Sequence, residues 1–222
     1  EDLKVKLTSV ERLNTSAFSD SPGSIVRSVM LSDIEKLKNT IETFDYETFN
    51  SAVEMIMNAK RIFILGVRSS APLASFLGFY FNLIFENVRL VHTTSVSEMF
   101  EQILSTKEGD VVIGISFPRY SKRTIKAMQF SRDCNAGVIA ITDKPDNPVA
   151  KSADYSLLAP SDVASFVDSL VAPLSLINAL IIEIGMRKRE HIRETFLKLE
   201  HIWDEYGVYD KSEIDEDESR EI

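Results

Sequence analysis

Short apolar runs recur through the middle of the chain, and each stops at glycine or at a polar cluster. They occupy residues 60–66 (KRIFILG), 87–93 (NVRLVHT), 110–116 (DVVIGIS), 137–142 (GVIAIT) and 154–160 (DYSLLAP). Continuous rather than alternating hydrophobicity is the mark of a parallel strand covered on both faces. Helix-length segments separate them at 71–86, 96–106 and 122–135, with a shorter one near 146–152. This alternation predicts an α/β fold with a parallel sheet of about five strands and right-handed crossovers. Two amphipathic segments precede it. Residues 24–44 space Ile25, Val29, Ile34, Leu37 and Ile41 as a helix would, and 45–59 do so with Phe49, Val53 and Ile56. Asp45 suits the cap of the second. After the strands, a long helix is predicted over 162–188, with Ser161 and Asp162 as caps, and an amphipathic one over 189–205. The apolar residues of 170–182 cover more than one face of that long helix, which predicts burial in a subunit interface as well as in the core.

The ends differ from this body. Residues 14–23 (NTSAFSDSPG) have linker composition, and 1–13 suggest a short helix that starts without a cap, as if something preceded it. From Asp204 onward nine acids face two bases, which is −7 of the total formal charge of −9. The remaining −2 leaves the body nearly neutral, so it is not a basic nucleic-acid surface by itself. A hydrophobic fraction of 44% suits a globular domain. The apolar stretch in 170–184 is too interrupted by Pro173, Asn178 and Glu183 to span a bilayer. The single cysteine, Cys134, excludes an internal disulfide and points to a reducing cytoplasm. Three scattered histidines give no metal-ligand spacing, and no cofactor is expected.

In an open parallel sheet, ligands bind beyond the carboxyl ends of the strands, so the residues just after each run are the candidates. After the first run come Gly66, Arg68, Ser69, Ser70 and Pro72. Glycine permits a tight turn, Pro72 suits a first helical turn, and the helix N-terminus with Arg68 favours an anion. Ser70 could instead only cap the helix, with Arg68 facing water. After the third run come Ser116, Tyr120, Ser121 and Thr124, among Arg119, Lys122 and Arg123. Two hydroxyl-rich turns on strands expected to be neighbours predict one anion site. The glycine fingerprint of dinucleotide sites is missing. After the second run, Glu98 is either an acid/base or sugar-hydroxyl acceptor, or a first-turn glutamate stabilised by the helix dipole; His92 and Thr94 lie nearby. After the fourth, Asp143 and Lys144 could touch a ligand edge. Asp168 could face the site or a neighbouring subunit.

GVRSS at 66–70 and ISFPRYSKRT at 115–124 resemble the two turn motifs of the SIS (sugar isomerase) domain, a Gly/Ser turn and an S-x-S-G-x-T-like turn. The latter turn resembles a lengthened variant found in RpiR-type bacterial transcriptional regulators, and FVDSLVAPLSLINALI at 166–181 resembles their helix after the sheet. The resemblance implies a three-layer α/β/α sandwich, flavodoxin-like, with extra flanking helices. It implies a remnant of a DNA-binding domain plus linker over 1–22, the SIS domain over 23–205 and an acidic tail over 206–222. It further implies a phosphosugar effector held by Arg68, Ser69, Ser70, Ser116, Tyr120, Ser121 and Thr124, with Glu98 toward the sugar. The partners implied are a homodimer or homotetramer, and DNA through an N-terminal helix-turn-helix domain absent from this chain. Such a domain senses rather than catalyses. Aldose–ketose isomerisation, with Glu98 or Glu183 as base and His92 as acid, is the alternative.

Overall fold

The structure, a computed structural model, describes residues 10–11, 22–92, 95–161 and 167–209. Most of the expected N-terminal helix and linker, Thr94, Asp162 and most of the acidic tail lie outside the described residues. Five strands form one parallel sheet: β1 (Ile62–Gly66), β2 (Val88–Val91), β3 (Val111–Ile115), β4 (Gly137–Thr142) and β5 (Tyr155–Leu158). Their order is β2-β1-β3-β4-β5, with Ile64 in register with Leu90 on one side and Ile113 on the other. Seven helices flank it among the described residues: α1 (Pro22–Glu42), α2 (Tyr46–Met57), α3 (Ala71–Ile84), α4 (Val96–Ile103), α5 (Lys122–Asp133), α6 (Val171–Arg187) and α7 (Arg189–Tyr206).

All five residues of β1 and of β3 are buried, as a doubly covered strand requires. Alternate side chains serve opposite faces. Ile62, Ile64, Ile113 and Ile139 pack with α2, α3 and α6, whereas Phe63, Leu65 and Val112 pack with α4 and α5. Burying each such side chain contributes about 1.5–3 kcal/mol. The result is three layers, with α1 laid outside against α6.

Asp45 caps α2, its Oδ1 accepting from the N–H groups of Glu47 and Thr48 at 3.1 and 3.0 Å. The long helix expected from 162 instead begins at Val171. Leu170 takes the cap position without a side-chain cap bond; Ser169 Oγ, just before it, accepts from Val171 N–H at 3.4 Å, and Pro173 fits only the first turn. Ser161, expected as a cap, donates to the Ser169 carbonyl at 3.1 Å. The segment 146–152 yields only a 3-10 turn, Ala150–Ser152. Ser169 also donates to Asp33 Oδ1 at 2.6 Å, joining the start of α6 to α1 across 136 residues of sequence. On α1, Val26, Met30, Ile34 and Ile41 share a stripe that stays exposed, as do Ile182 and Met186 of α6. No helix among the described residues is long and apolar enough to cross a membrane.

Candidate functional site

The strand order reverses direction between β1 and β3, and their carboxyl ends open at that switch point. β1 ends at Gly66, where a Cβ would lie 2.6 Å from the Ser70 carbonyl oxygen. Only glycine lets the chain fold back there, into a 3-10 turn over Arg68–Ser70 that runs straight into α3. Arg68 takes a left-handed φ of 56°. Ser70 is buried and makes no side-chain cap bond, while Arg68 and Ser69 are exposed.

The second turn is tied together more tightly. Ser116 is buried; its Oγ accepts from Ser121 N–H at 3.0 Å, and its carbonyl accepts from Thr142 Oγ1 at 2.8 Å. Ser121 caps α5, its Oγ accepting from Thr124 N–H at 3.3 Å. Arg119, at the apex, has a left-handed φ of 68°. Ser116 and Ser121 stand five apart, as the first serine and the threonine do in S-x-S-G-x-T. The turn is therefore not lengthened, contrary to expectation: Pro118 stands at the second serine and Arg119 at the glycine. An arginine holds a left-handed backbone at the glycine's position.

Between the two turns lies a cleft of about 840 Å³, lined by residues 67–70, residues 116–123 and Asp168. Six of the eight expected site residues meet there: Arg68, Ser69, Ser70, Ser116, Tyr120 and Ser121. Two do not line it. Thr124 is fully buried on the sheet-facing side of α5, and its Oγ1 has no hydrogen-bond partner among the described residues. Three residues after a capping serine, its side chain turns inward with Ala127 and Met128. Glu98 is exposed in the first turn of α4, outside the lining, and His92 is exposed at the end of β2. Asp168 does reach the cleft.

The cleft is positive. Among the described residues, Arg68, Arg119, Lys122 and Arg123 line it, with Asp168 the one acid. Two helix entrances add the partial positive charge of their free N–H groups. Such a chamber can hold a phosphoryl group by charge-assisted hydrogen bonds. No group of three or more His, Cys, Asp or Glu suited to a metal gathers among the described residues.

Sequence reasoning missed the support behind the second turn. Tyr120 donates to both oxygens of Asp143, at 3.0 and 3.2 Å. Asn147 holds the same carboxylate, donating to Asp143 Oδ1 at 3.1 Å and to Thr142 Oγ1 at 2.8 Å. Burial first, then the Asp143 charge and hydrogen bond, push the Tyr120 phenol well above its usual value, so it stays a donor. The turn-rich TDKPDNP segment was the available signal, and it pointed to a ligand instead of to this brace.

Comparison with known proteins follows the same lines. The SIS domain family matches residues 55–183. An uncharacterised HTH-type transcriptional regulator of Caldanaerobacter subterraneus is 26% identical over 173 residues, covering 76% of this chain and 61% of its own. The HTH-type transcriptional regulator HexR of Escherichia coli is 25% identical over 185 residues, covering 81% and 63%. The chain thus spans less than two thirds of either relative's length. Among solved structures, the sugar isomerase domain of an RpiR transcription factor from Sphaerobacter thermophilus superposes with a TM-score of 0.74 at 26% identity, covering 78% of this chain and 97% of that one. The Vibrio vulnificus NanR protein complexed with ManNAc-6P has the same fold, with a TM-score of 0.71 at 18% identity, covering 83% and 70%.

Proposed function

The chain belongs to the SIS domain family, and from that premise we propose that it is the sugar-phosphate-sensing part of a transcriptional regulator. The observation that carries this reading is the pairing of two hydroxyl-rich helix entrances on one positive cleft at the β1/β3 switch point. The phosphoryl group sits against Ser69, Ser70, Ser116 and Ser121, with Arg68 over it, and the sugar extends toward Asp168 and Tyr120. The regulator names of the relatives support the sensing role. A phosphosugar bound to one fold neighbour supports the ligand class.

Binding is favoured over turnover by where the bases expected from the sequence sit, with Asp168 left as the one carboxylate among the described lining residues. Isomerisation needs a general base beside the sugar carbons. Glu98 and His92 do not line the cleft, and Glu183 on α6 accepts a hydrogen bond from Arg187 at 2.8 Å. The signal leaves through quaternary packing: a ligand that binds one subunit arrangement better than another shifts the spacing of attached DNA-binding heads. The exposed apolar stripe of α1, with Ile182 and Met186, is the surface proposed for that packing.

Calorimetric titration of the chain with a panel of sugar phosphates tests the site. Ser116→Ala removes the acceptor of Ser121 N–H and a cleft hydroxyl, and should weaken binding at least about tenfold. Unchanged affinity would falsify the assignment. An isomerase assay on fructose 6-phosphate should give no turnover, and measured turnover would replace this reading with the enzymatic one.

A further inference from the structure

Three non-glycine residues among the described ones hold a left-handed φ: Arg68 at 56°, Arg119 at 68° and Asn135 at 59°. Residues with a Cβ rarely adopt that region, and asparagine is among those that do so most readily. Asn135 has a local reason. It follows the Cys134 cap of α5, where helices commonly end this way, and its N–H donates to the Arg132 carbonyl at 2.9 Å. No such reason applies to the two arginines. Both line the cleft, one from each of its two turns. Strained backbone of this kind persists only where the surrounding structure enforces it, and it gathers at ligand sites.

Arg119 is the sharper case. It follows Pro118, and a left-handed residue after proline is the turn position that glycine ordinarily fills. The side chain of Arg119 is exposed, so burial does not offset the cost of its backbone. The shape of the turn is held by its neighbours. Phe117 and Pro118 are buried, Ser116 Oγ accepts from Ser121 N–H at 3.0 Å, and Tyr120 donates to Asp143 at 3.0 Å. Glycine at 119 would serve that shape better, which leaves the guanidinium as the reason for an arginine. Pro118 sharpens the point: it lines the cleft but brings neither a hydroxyl nor an N–H, and Arg119 supplies donors beside that gap.

We infer that Arg119 grips the phosphoryl group of the effector from the turn that faces Arg68, and that its left-handed position is kept for this contact rather than for the fold. This rests on the reading of the cleft as a sugar-phosphate site. A guanidinium offers a phosphoryl edge two parallel N–H bonds, which an ammonium cannot match.

Arg119→Gly separates ligand grip from fold support, because it removes the guanidinium and suits the backbone that the turn requires. The whole chain is titrated calorimetrically at fixed ionic strength with inorganic phosphate and with glucose 6-phosphate, fructose 6-phosphate, glucosamine 6-phosphate and ribose 5-phosphate. For each of these that the parent chain binds, affinity is expected to fall at least about tenfold in Arg119→Gly, while the melting temperature stays at or above that of the parent. Arg119→Ala should bind as weakly but melt below Arg119→Gly, since alanine keeps the Cβ. Arg119→Lys should recover part of the affinity. Unchanged affinity in Arg119→Gly overturns the inference, and leaves the cleft reading standing where Ser116→Ala still weakens binding. A melting temperature clearly below the parent's in both the glycine and the alanine variant means that the arginine serves the fold, and overturns the inference too. No binding of any of the five by the parent chain overturns both this inference and the reading beneath it.

Discussion

Tyr120 illustrates how one side chain converts a flexible turn into a fixed wall. Its hydroxyl donates to Asp143, which Asn147 also holds, so the turn after β3 is braced from the loop after β4. Tyr120→Phe leaves Asp143 with Asn147 and Thr142 and should cost about 0.5–1.5 kcal/mol in urea denaturation. The phenol's value is raised in the fold, by burial first and the Asp143 charge next. Its contribution is complete below the unfolded value near ~10 and is lost as pH rises through the folded one. Ultraviolet titration of the native protein should find this tyrosine still protonated when exposed tyrosines have ionised. Thr124 gives the opposite case. Its buried Oγ1 has no partner among the described residues, and valine has the same shape. Thr124→Val should therefore leave stability unchanged or raise it by up to about 1 kcal/mol. The hydroxyl at 124 was as visible in the sequence as that at 121. The helix start, and with it which hydroxyl faces the cleft, becomes definite only once Ser121 caps α5.

Elements here are fastened at the amino ends of the strands as firmly as the site is shaped at their carboxyl ends. Arg61, just before β1, donates from Nε to Asp110 Oδ1 at 3.0 Å and from Nη2 to Oδ2 at 2.5 Å. Asp110, just before β3, also accepts from Lys107 N–H at 2.9 Å and is fully buried. Burial pushes its carboxyl up, but the Arg61 hydrogen bonds, the Lys107 N–H and their charges outweigh that and hold it below the usual range. A lowered value means stability present above the unfolded value near ~3.9 and lost as pH falls through the folded one. Asp110→Asn should cost about 2–3 kcal/mol at neutral pH, less than a wholly buried pair because Arg61 reaches solvent, and should flatten the acid limb of a pH-stability curve. An acid limb identical to that of the parent protein would remove Asp110 from this role. Element type was readable because long apolar runs and helical spacing are repeated signals. Boundaries were less so: Ser161 and Asp162 have capping chemistry, but α6 begins at Val171, after a Leu170 that makes no side-chain cap bond and with Pro173 in its first turn.

At the scale of the whole molecule, the order β2-β1-β3-β4-β5 makes the site inevitable in position, since only between β1 and β3 do the crossovers leave in opposite directions. The parallel sheet of about five strands was legible from five apolar runs and the helices between them; the strand order was not. The brace behind the cleft was not, because Tyr120 and Asp143 are 23 residues apart and meet only after β4 is in register with β3. The outer apolar stripe makes a prediction of its own. Met30→Glu should lower the association state measured by sedimentation, with the secondary structure intact by circular dichroism. Finally, the 2.6 Å hydrogen bond from Ser169 to Asp33 turns a local contact into a mechanical linkage. Asp168, one residue away, lines the cleft, and Asp33 lies on α1. Any displacement of Asp168 on ligand entry pulls on α1 directly, without passing through the sheet. Amide exchange along the middle of α1 should thus slow when the cleft fills, and Ser169→Ala should uncouple that response while leaving slow exchange in β1 and β3 untouched.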